Sequence, residues 1–162
     1  MGFKHEQTFP FTMDTAWEAL HKTSSLDVAP GNIVTVISDA EWTTHPADSE
    51  ENTSATTYYI ATFDNEKKRV TIKSTSDAKR EPDFIYLTLE EISSAEVKLM
   101  IEVDINTGIH FIAKVVSALL LKPMEQLLCK HICQNFEALC TGKETKRMDR
   151  EELDAHVKDF FS

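Results

Sequence analysis

Glycine, proline and cysteine are scarce in this sequence of 162 residues, which contains 4 Gly, 5 Pro and 3 Cys. So little glycine and proline argues against a flexible linker and against low-complexity disorder. The three cysteines are an odd number in one short stretch, from Cys129 to Cys140, so they do not form a disulfide framework. The length and the 41% of apolar residues suit one domain with one sizeable core.

Positive charge is also in deficit, since 17 Lys and Arg residues against 27 Asp and Glu residues give a formal net charge of −10 at pH 7. This charge disfavours a phosphate backbone or an anionic membrane as a partner. The longest apolar run, from Ile109 to Leu121, is too short to span a bilayer and contains Lys114. The N-terminal residues show no apolar run typical of a secretory signal. We therefore expect a cytoplasmic protein that has no transmembrane segment and binds no nucleic acid.

Motifs of metal and cofactor sites are missing as well. The six histidines occur without HxH or HExxH spacing, and there is no P-loop, GxGxxG or GxSxG motif. Cys129, Cys133 and Cys140 are expected to share one stripe of a helix, where buried apolar thiols are more usual than zinc ligands. We expect neither a metal nor a cofactor, and the sequence leaves open whether the protein is an enzyme.

Apolar periodicity predicts the order of the secondary structure elements. The clearest strand is Val97 to Ile105, where five apolar residues alternate with Lys98, Met100, Glu102 and Asp104. Helical spacing predicts a short helix capped by Thr12 or Asp14, a long helix ended by Gly142 and a last short helix from about Asp149. The other predicted strands are Phe3 to Phe9, Ile33 to Thr44, Thr56 to Phe63, Arg69 to Ser76 and Phe84 to Ile92.

This order of elements favours an α+β domain in which the long helix covers the sheet. An antiparallel sheet with alternating faces must cover its apolar side, and the long helix is the only large apolar partner in the chain. Because a twisted sheet curls around such a helix, side chains rarely fill all the space between them. We therefore expect a cavity between the sheet and the helix.

The segment from Phe9 to Leu20 (FPFTMDTAWEAL) resembles a strand end, proline and helix with an apolar-Trp-x-x-Leu pattern in the START-like or Bet v 1-like helix-grip superfamily. This superfamily (SRPBCC) includes the polyketide cyclase/dehydrase-like group. The element order is similar too, so the resemblance covers roughly Phe3 to Cys140. It implies an α+β helix-grip fold, in which a curved antiparallel sheet of six or seven strands wraps around a long C-terminal helix and short helices follow strand 1.

We assign residues 1–142 to this helix-grip domain and residues 143–162 to a C-terminal extension with a short helix packed on or near the domain. The expected ligand is a small hydrophobic, lipid-like molecule in the cavity. The alternatives are a cyclase/dehydrase-type enzyme and a protein-binding, co-chaperone-like module. The residues expected to line the cavity, each of which also suits an ordinary core, are Phe3, Trp17, Trp42, Tyr59, Tyr86, Leu99, Ile101, Phe111 and Val115.

An enzyme of the cyclase type needs an acid or base that faces the cavity. His5, His110 and Asp39 are the candidates, and each is also explained as an ordinary surface residue. The segment 109–121 is apolar nearly all round the predicted helix. Three interpretations remain open for it: an interior position under the first helix and the tail, a lid over a ligand, or the interface of a homodimer.

Overall fold

The computed structural model describes residues 2–46, 56–76, 81–104 and 111–160. In the last of these ranges it describes the side chains from residue 125 onwards, except for those of Arg150, His156, Val157 and Phe160. Statements below refer to this part of the chain.

Within these ranges the chain forms a curved, seven-stranded antiparallel sheet. The strands are β1 (Gly2–Phe9), β2 (Asn32–Ser38), β3 (Glu41–Pro46), β4 (Thr57–Asp64), β5 (Arg69–Ser76), β6 (Asp83–Ser93) and β7 (Glu96–Asp104). Their order in the sheet is β1-β7-β6-β5-β4-β3-β2, so that β1 and β2 form the two edges among the described strands.

The helices are α1 (Met13–Leu20), α2 (Phe111–Cys140) and α3 (Arg150–Phe160), and a single 3-10 turn (Thr23–Ser25) follows α1. Helix α2 contacts α1, α3 and the edge strand β1. This arrangement confirms the α+β helix-grip fold with a long C-terminal helix that the sequence predicts. None of the helices in the described part of the chain combines the length and hydropathy needed to cross a bilayer.

Strand register determines which side chains face α1 and α2, because directly opposed residues of antiparallel strands lie on the same face. Phe9 lies opposite Val97, and Leu87 lies opposite both Val70 and Ile101. We call this face, which is apolar and covered by the helices, the inner face. Its central buried residues are Val70, Ile72, Leu87, Leu89, Val97, Leu99, Ile101 and Val103.

The prediction of one strand from Ile33 to Thr44 was wrong. The structure divides this segment into β2 and β3, joined by a turn at Asp39 and Ala40. The Ser38 hydroxyl accepts a hydrogen bond from the Ala40 backbone N–H at 3.3 Å, which supports the turn. The segment contains no glycine, proline or asparagine after Asn32, and its β-branched residues favour one continuous strand. The sequence pattern therefore did not predict the reversal of the chain.

The structure confirms the predicted N-terminal cap of α1 and the predicted glycine at the end of α2. Thr12 is the N-cap of α1, and its hydroxyl accepts a hydrogen bond from the Thr15 N–H at 3.2 Å. Gly142, with φ +72°, follows α2, and its N–H donates to the Leu139 carbonyl at 3.4 Å. The Lys143 N–H donates to the Ala138 carbonyl at 2.8 Å, which completes a Schellman motif.

The C-terminal extension packs on α2 and on the loop that precedes β2. Met148 and Leu153 form an apolar cluster with Leu127 of α2. The Gly31 N–H donates to the Met148 carbonyl at 2.9 Å, which ties the extension to the start of β2. The division of the chain at residue 142 stays a prediction.

Gly31 gives a test of how firmly the extension is docked. It has φ +88°, and a Cβ there would lie 2.6 Å from Leu153 Cδ2, so that Leu153 could move only by losing contact with Leu127 and Met148. Gly142 has φ +72° with no other atom within 4 Å of such a Cβ. We expect Gly142→Ala to lower the free energy of unfolding by roughly 1 kcal/mol and Gly31→Ala to lower it by more, as measured by urea denaturation. Equal losses would contradict a tight contact with Leu153.

Candidate functional site

The inner face of the sheet changes from apolar to hydroxyl-rich along β4 and β5. Thr57 lies opposite Ser76, and Tyr59 lies opposite Ser74, so all four side chains are on the inner face. Asp83 at the start of β6 lies opposite Ser74. The hydroxyl pocket formed here has a volume of about 140 Å³ and is lined by Thr57, Tyr59, Ser74, Thr75, Ser76 and Asp83.

An aromatic pair lies beside the hydroxyl pocket. The rings of Trp42 and Tyr59 stack with centroids 5.4 Å apart and planes 3° from parallel, and Trp42 is buried. Burial raises the pKa of the Tyr59 phenol, so the hydroxyl keeps its proton at neutral pH and remains a hydrogen-bond donor. The pair therefore forms a rigid aromatic wall beside a polar pocket.

A second concavity, which we call the β1–α2 cleft, lies between the edge strand β1 and the C-terminal half of α2. It has a volume of about 420 Å³. Strand β1 supplies His5 and Gln7, which face inward opposite Ile101 and Leu99. Helix α2 supplies Glu125, Gln126, Cys129, Lys130, Cys133, Gln134 and Glu137. Because most of these side chains are polar or charged, the cleft suits a polar group better than a hydrocarbon chain.

The cysteines of α2 are unreactive in their surroundings. Burial raises the pKa of the Cys129 thiol to about 12, that of Cys133 to about 11 and that of Cys140 to about 12. The thiolate is the nucleophile and the metal ligand, and at neutral pH these groups stay protonated. No group of three or more His, Cys, Asp or Glu side chains in the described part of the chain is placed to hold a metal ion.

His5 and Asp39, two of the three candidate acids and bases, lie apart in the described part of the chain. His5 lies on the inner face in the β1–α2 cleft. Asp39 is exposed in the turn between β2 and β3, where its backbone carbonyl accepts a hydrogen bond from the Ser24 N–H at 2.9 Å. His110 lies outside the described residues. Of the three, His5 is the one that the structure places in a concavity.

The aromatic and apolar candidates divide into groups. Trp42 and Tyr59 lie together beside the hydroxyl pocket, whereas Leu99 and Ile101 are completely buried in the core of the inner face. Phe3 is partly buried against that core. The side chains of Phe111 and Val115, and the apolar segment 109–121 as a whole, lie outside those that the structure describes.

Tyr86 has a position that differs from the expected lining, whereas Trp17 is buried in the core between α1 and the sheet. The Trp17 indole N–H donates to the Asn65 side-chain oxygen at 2.9 Å, in the turn between β4 and β5. Tyr86 lies opposite Thr71 and Glu102, on the outer face, where the Arg69 guanidinium lies 5.4 Å from its ring centroid. Tyr86 therefore does not line the inner face, because its neighbour Leu87 takes the inward position.

Sequence reasoning missed Ser74, Ser76 and Asp83 as members of the hydroxyl pocket. The signal for the two serines was present in β5, where Val70, Ile72, Ser74 and Ser76 follow one another at every second position. Such a strand turns from apolar to polar along a single face. Asp83 had no comparable signal, because its position depends on pairing between β5 and β6.

A buried ionisable pair lies where the extension meets α2. Asp27 is 2% exposed, its Oδ2 accepts a hydrogen bond from the Met148 N–H at 2.9 Å, and the same oxygen lies 3.4 Å from His131 Nδ1. Nearby, the Arg147 guanidinium donates to the Ser24 carbonyl at 2.7 Å. Burial raises the pKa of Asp27 and lowers the pKa of His131. These contacts fasten the extension, and we assign the pair a structural role.

Comparison with known proteins shows similarity in fold and not in sequence. No protein-family model matches the chain, and no curated protein matches it either. Norcoclaurine synthase from Thalictrum flavum, solved with dopamine and hydroxybenzaldehyde, is 13% identical, with 90% of this chain and 89% of that chain covered and a TM-score of 0.57.

Two bacterial proteins are similar to the same degree. A protein from Thermus thermophilus is 11% identical over 88% of this chain and 98% of that one, with a TM-score of 0.56. A conserved protein from Geobacillus kaustophilus is 9% identical over 88% of this chain and 96% of that one, with a TM-score of 0.57. At such identities the likeness establishes the fold, and the chain has the Bet v 1-like helix-grip fold that its resemblance implies.

The burial of His131 gives the stability of the protein a pH dependence. Because burial lowers the pKa of His131 in the folded state, the unfolded chain binds a proton there first as the pH falls below the ordinary value of 6.5. The associated stability is complete above that value and is lost below it. We expect the free energy of unfolding to fall from about pH 7.5 to about pH 5.5, and His131→Gln to show a smaller fall.

Denaturation by urea at several pH values measures how steeply the free energy of unfolding changes with pH in the unaltered protein and in His131→Gln. Asp27 is present in both proteins, and its raised pKa acts in the opposite direction as the pH falls from that raised value towards 3.8, the ordinary pKa of an aspartate. Equal slopes for the two proteins would show that His131 titrates alike in both states.

Proposed function

We propose that the protein binds a small hydrophobic, lipid-like molecule that carries a polar group, between the inner face of the sheet and α2. The observation that carries this proposal is the position of the Trp42–Tyr59 pair beside the hydroxyl pocket. A pocket of about 140 Å³ accommodates a polar group of a few atoms and not the body of a lipid. Ligand binding and cyclase-like activity are both compatible with a Bet v 1-like fold.

The side chains in the hydroxyl pocket determine which polar groups fit. The Tyr59 hydroxyl is protonated and donates a hydrogen bond, Ser74 and Ser76 can donate or accept, and the Asp83 carboxylate accepts. An alcohol or an amine on the ligand suits this set best. Affinity would come from apolar burial, at about 25 cal/mol per Å², while the polar contacts fix the orientation.

A cyclase/dehydrase-type reaction is the second candidate, and the position of His5 favours it. His5 faces inward in the β1–α2 cleft, and imidazole is the most frequent general acid or base in enzymes. Such a group acts when it lies within hydrogen-bond distance of the proton that it moves. This candidate requires a substrate that reaches the cleft.

A cytoplasmic location is part of the proposal. All three cysteines are free, although Cys129 and Cys133 lie on consecutive turns of α2. Free thiols are typical of proteins in reducing compartments.

Native mass spectrometry of gently purified protein tests the proposal directly. We expect a co-purifying small molecule, and we expect added 2-naphthol, an apolar ring with one hydroxyl group, to bind more tightly than naphthalene. Incubation of the protein with the recovered molecule separates the two candidates, because an unchanged mass supports binding and loss of water supports the enzyme. Protein without any bound molecule, and without affinity for 2-naphthol, would contradict the proposal.

Tyr59 and Tyr86 provide a matched pair of variants. Tyr59→Phe removes the donor in the hydroxyl pocket, and Tyr86→Phe removes a hydroxyl on the outer face. Because one neutral hydrogen bond contributes roughly 1 kcal/mol, we expect Tyr59→Phe to weaken the binding of 2-naphthol by about fivefold and Tyr86→Phe to leave it unchanged. Titration of the fluorescence of 2-naphthol measures both. An equal effect of the two substitutions would place the ligand elsewhere.

A further inference from the structure

The two edges of the sheet differ in charge. Edge strand β1 exposes Lys4 and Glu6, which form ion pairs of 3.7 Å with Glu102 and Lys98 of β7. Edge strand β2, with the sequence NIVTVIS, contains no ionisable residue. Charged side chains, lysine above all, usually protect an edge strand from pairing with another chain. In this protein β1 has that protection and β2 lacks it.

Exposed apolar side chains concentrate at the β2 side of the sheet. In the described part of the chain six large hydrophobic side chains are exposed, and five of them lie on β2 or β4. They are Ile33 (45%), Val36 (53%), Ile37 (61%), Tyr58 (40%) and Ile60 (50%), and the sixth is Ile92 (47%) at the end of β6. Three of them, Ile33, Val36 and Ile37, lie on the edge strand itself, with Ile33 on the outer face and Val36 on the inner face, so exposed apolar side chains flank this edge on both sides of the sheet.

The backbone of β2 also has a free side. Strand β2 pairs with β3, and no other strand among the described residues pairs with it. At its N-terminal end the N–H of Asn32 donates to the Ala29 carbonyl at 3.3 Å, so the free edge begins at Ile33. The register with β3 shifts between Val36 and Ser38, which leaves Asn32 to Val36 as the regular part of the strand.

We propose that β2 pairs with β2 of a second copy of this chain, antiparallel and about a two-fold axis near Val34, so that the two sheets become one. A strand paired antiparallel with itself is self-complementary, as a two-fold interface requires. The pairing places β-branched side chains opposite one another, which stabilises adjacent strands. It differs from a dimer formed through residues 109–121, because it uses the edge strand β2 and no part of α2.

The absence of charge on β2 permits a second copy as the occupant. Each chain carries a formal net charge of −10, so two copies repel each other over most of their surfaces. The uncharged β2 is where they can approach. Asp39 follows the C-terminal end of β2, and antiparallel pairing brings it towards the uncharged Gly31–Asn32 end of the other copy and away from its Asp39.

The small size of the paired region predicts a weak dimer. Five regular residues and a few exposed side chains lie at the low end of protein interfaces. We expect a dissociation constant on the order of 10–100 µM. Sedimentation equilibrium of the full chain, at concentrations on both sides of that range, should show the mass rising from 18.4 kDa towards twice that value.

Substitutions at exposed positions test the edge itself. Val36→Lys places a charge on the free edge of each copy, opposite Asn32 of the other copy, and should weaken dimerisation more than about tenfold. Ile92→Lys is the matched control, since Ile92 is exposed to a similar extent but lies on β6, and it should leave dimerisation unchanged. Circular dichroism verifies that both variants fold. Hydrogen exchange should show protection that grows with protein concentration at those amides of residues 33–36 that point away from β3.

Two results would overturn the proposal. One is a monomer at every concentration. The other is a dimer that Val36→Lys does not affect. If Ile60→Lys dissociates that dimer, the position of Ile60 on β4 indicates stacking of outer faces and not pairing of edges.

Discussion

Burial of the inner face of the sheet is the constraint on which the rest of this structure depends. Strands β5, β6 and β7, with Phe9 of β1, present one continuous apolar surface, and α1 and the C-terminal half of α2 cover it. Phe136 of α2 is completely buried, and its ring meets Phe9 edge to face with centroids 4.9 Å apart. Because each fully buried side chain of this size contributes about 1.5–3 kcal/mol, the helices have little freedom to move on this part of the sheet.

The candidate sites lie where this apolar packing ends. The hydroxyl pocket begins where the inner face of β4 and β5 becomes polar, beyond Ile72 and Ala61. The β1–α2 cleft follows the opposite edge, where β1 presents His5 and Gln7 in place of apolar residues. A rigid apolar core between two polar margins can hold polar groups in fixed positions, which is the usual arrangement of a ligand site.

The extension is held by a different kind of contact. The Asp27–His131 pair and the backbone hydrogen bonds of Met148 are buried and directional, so they fix the extension in one position. Asn135 of α2 reinforces them, since its side chain both donates to and accepts from the Lys146 backbone at 3.0 and 2.9 Å. The apolar contacts of Leu153 then exclude water from the contact between the extension and α2. The extension is thereby part of the folded body.

Much of the fold could be predicted from the sequence, because its signals are local. The alternation of β7, the cap at Thr12 and the glycine at Gly142 each act within a few residues, and the structure confirms all three. The turn at Asp39 and Ala40 escaped prediction since it contains no glycine, proline or asparagine and its Ser38 and Asp39 follow an unbroken run of β-branched residues. Of the candidate site, the inward position of His5 was expected, whereas the outward position of Tyr86 was not.

The sequence by itself determined the number and kind of most elements, through periodicity and capping, and the charge that distinguishes β2 from β1. Only the tertiary structure decided which distant residues meet. Asp27 and His131 are far apart in the chain, and Ser74 reaches Asp83 and Tyr59 only through the register of three strands. A shift of one residue in that register would turn every side chain of a strand to the other face. Such pairing depends on the packing of the whole sheet against its helices, and no local pattern records it.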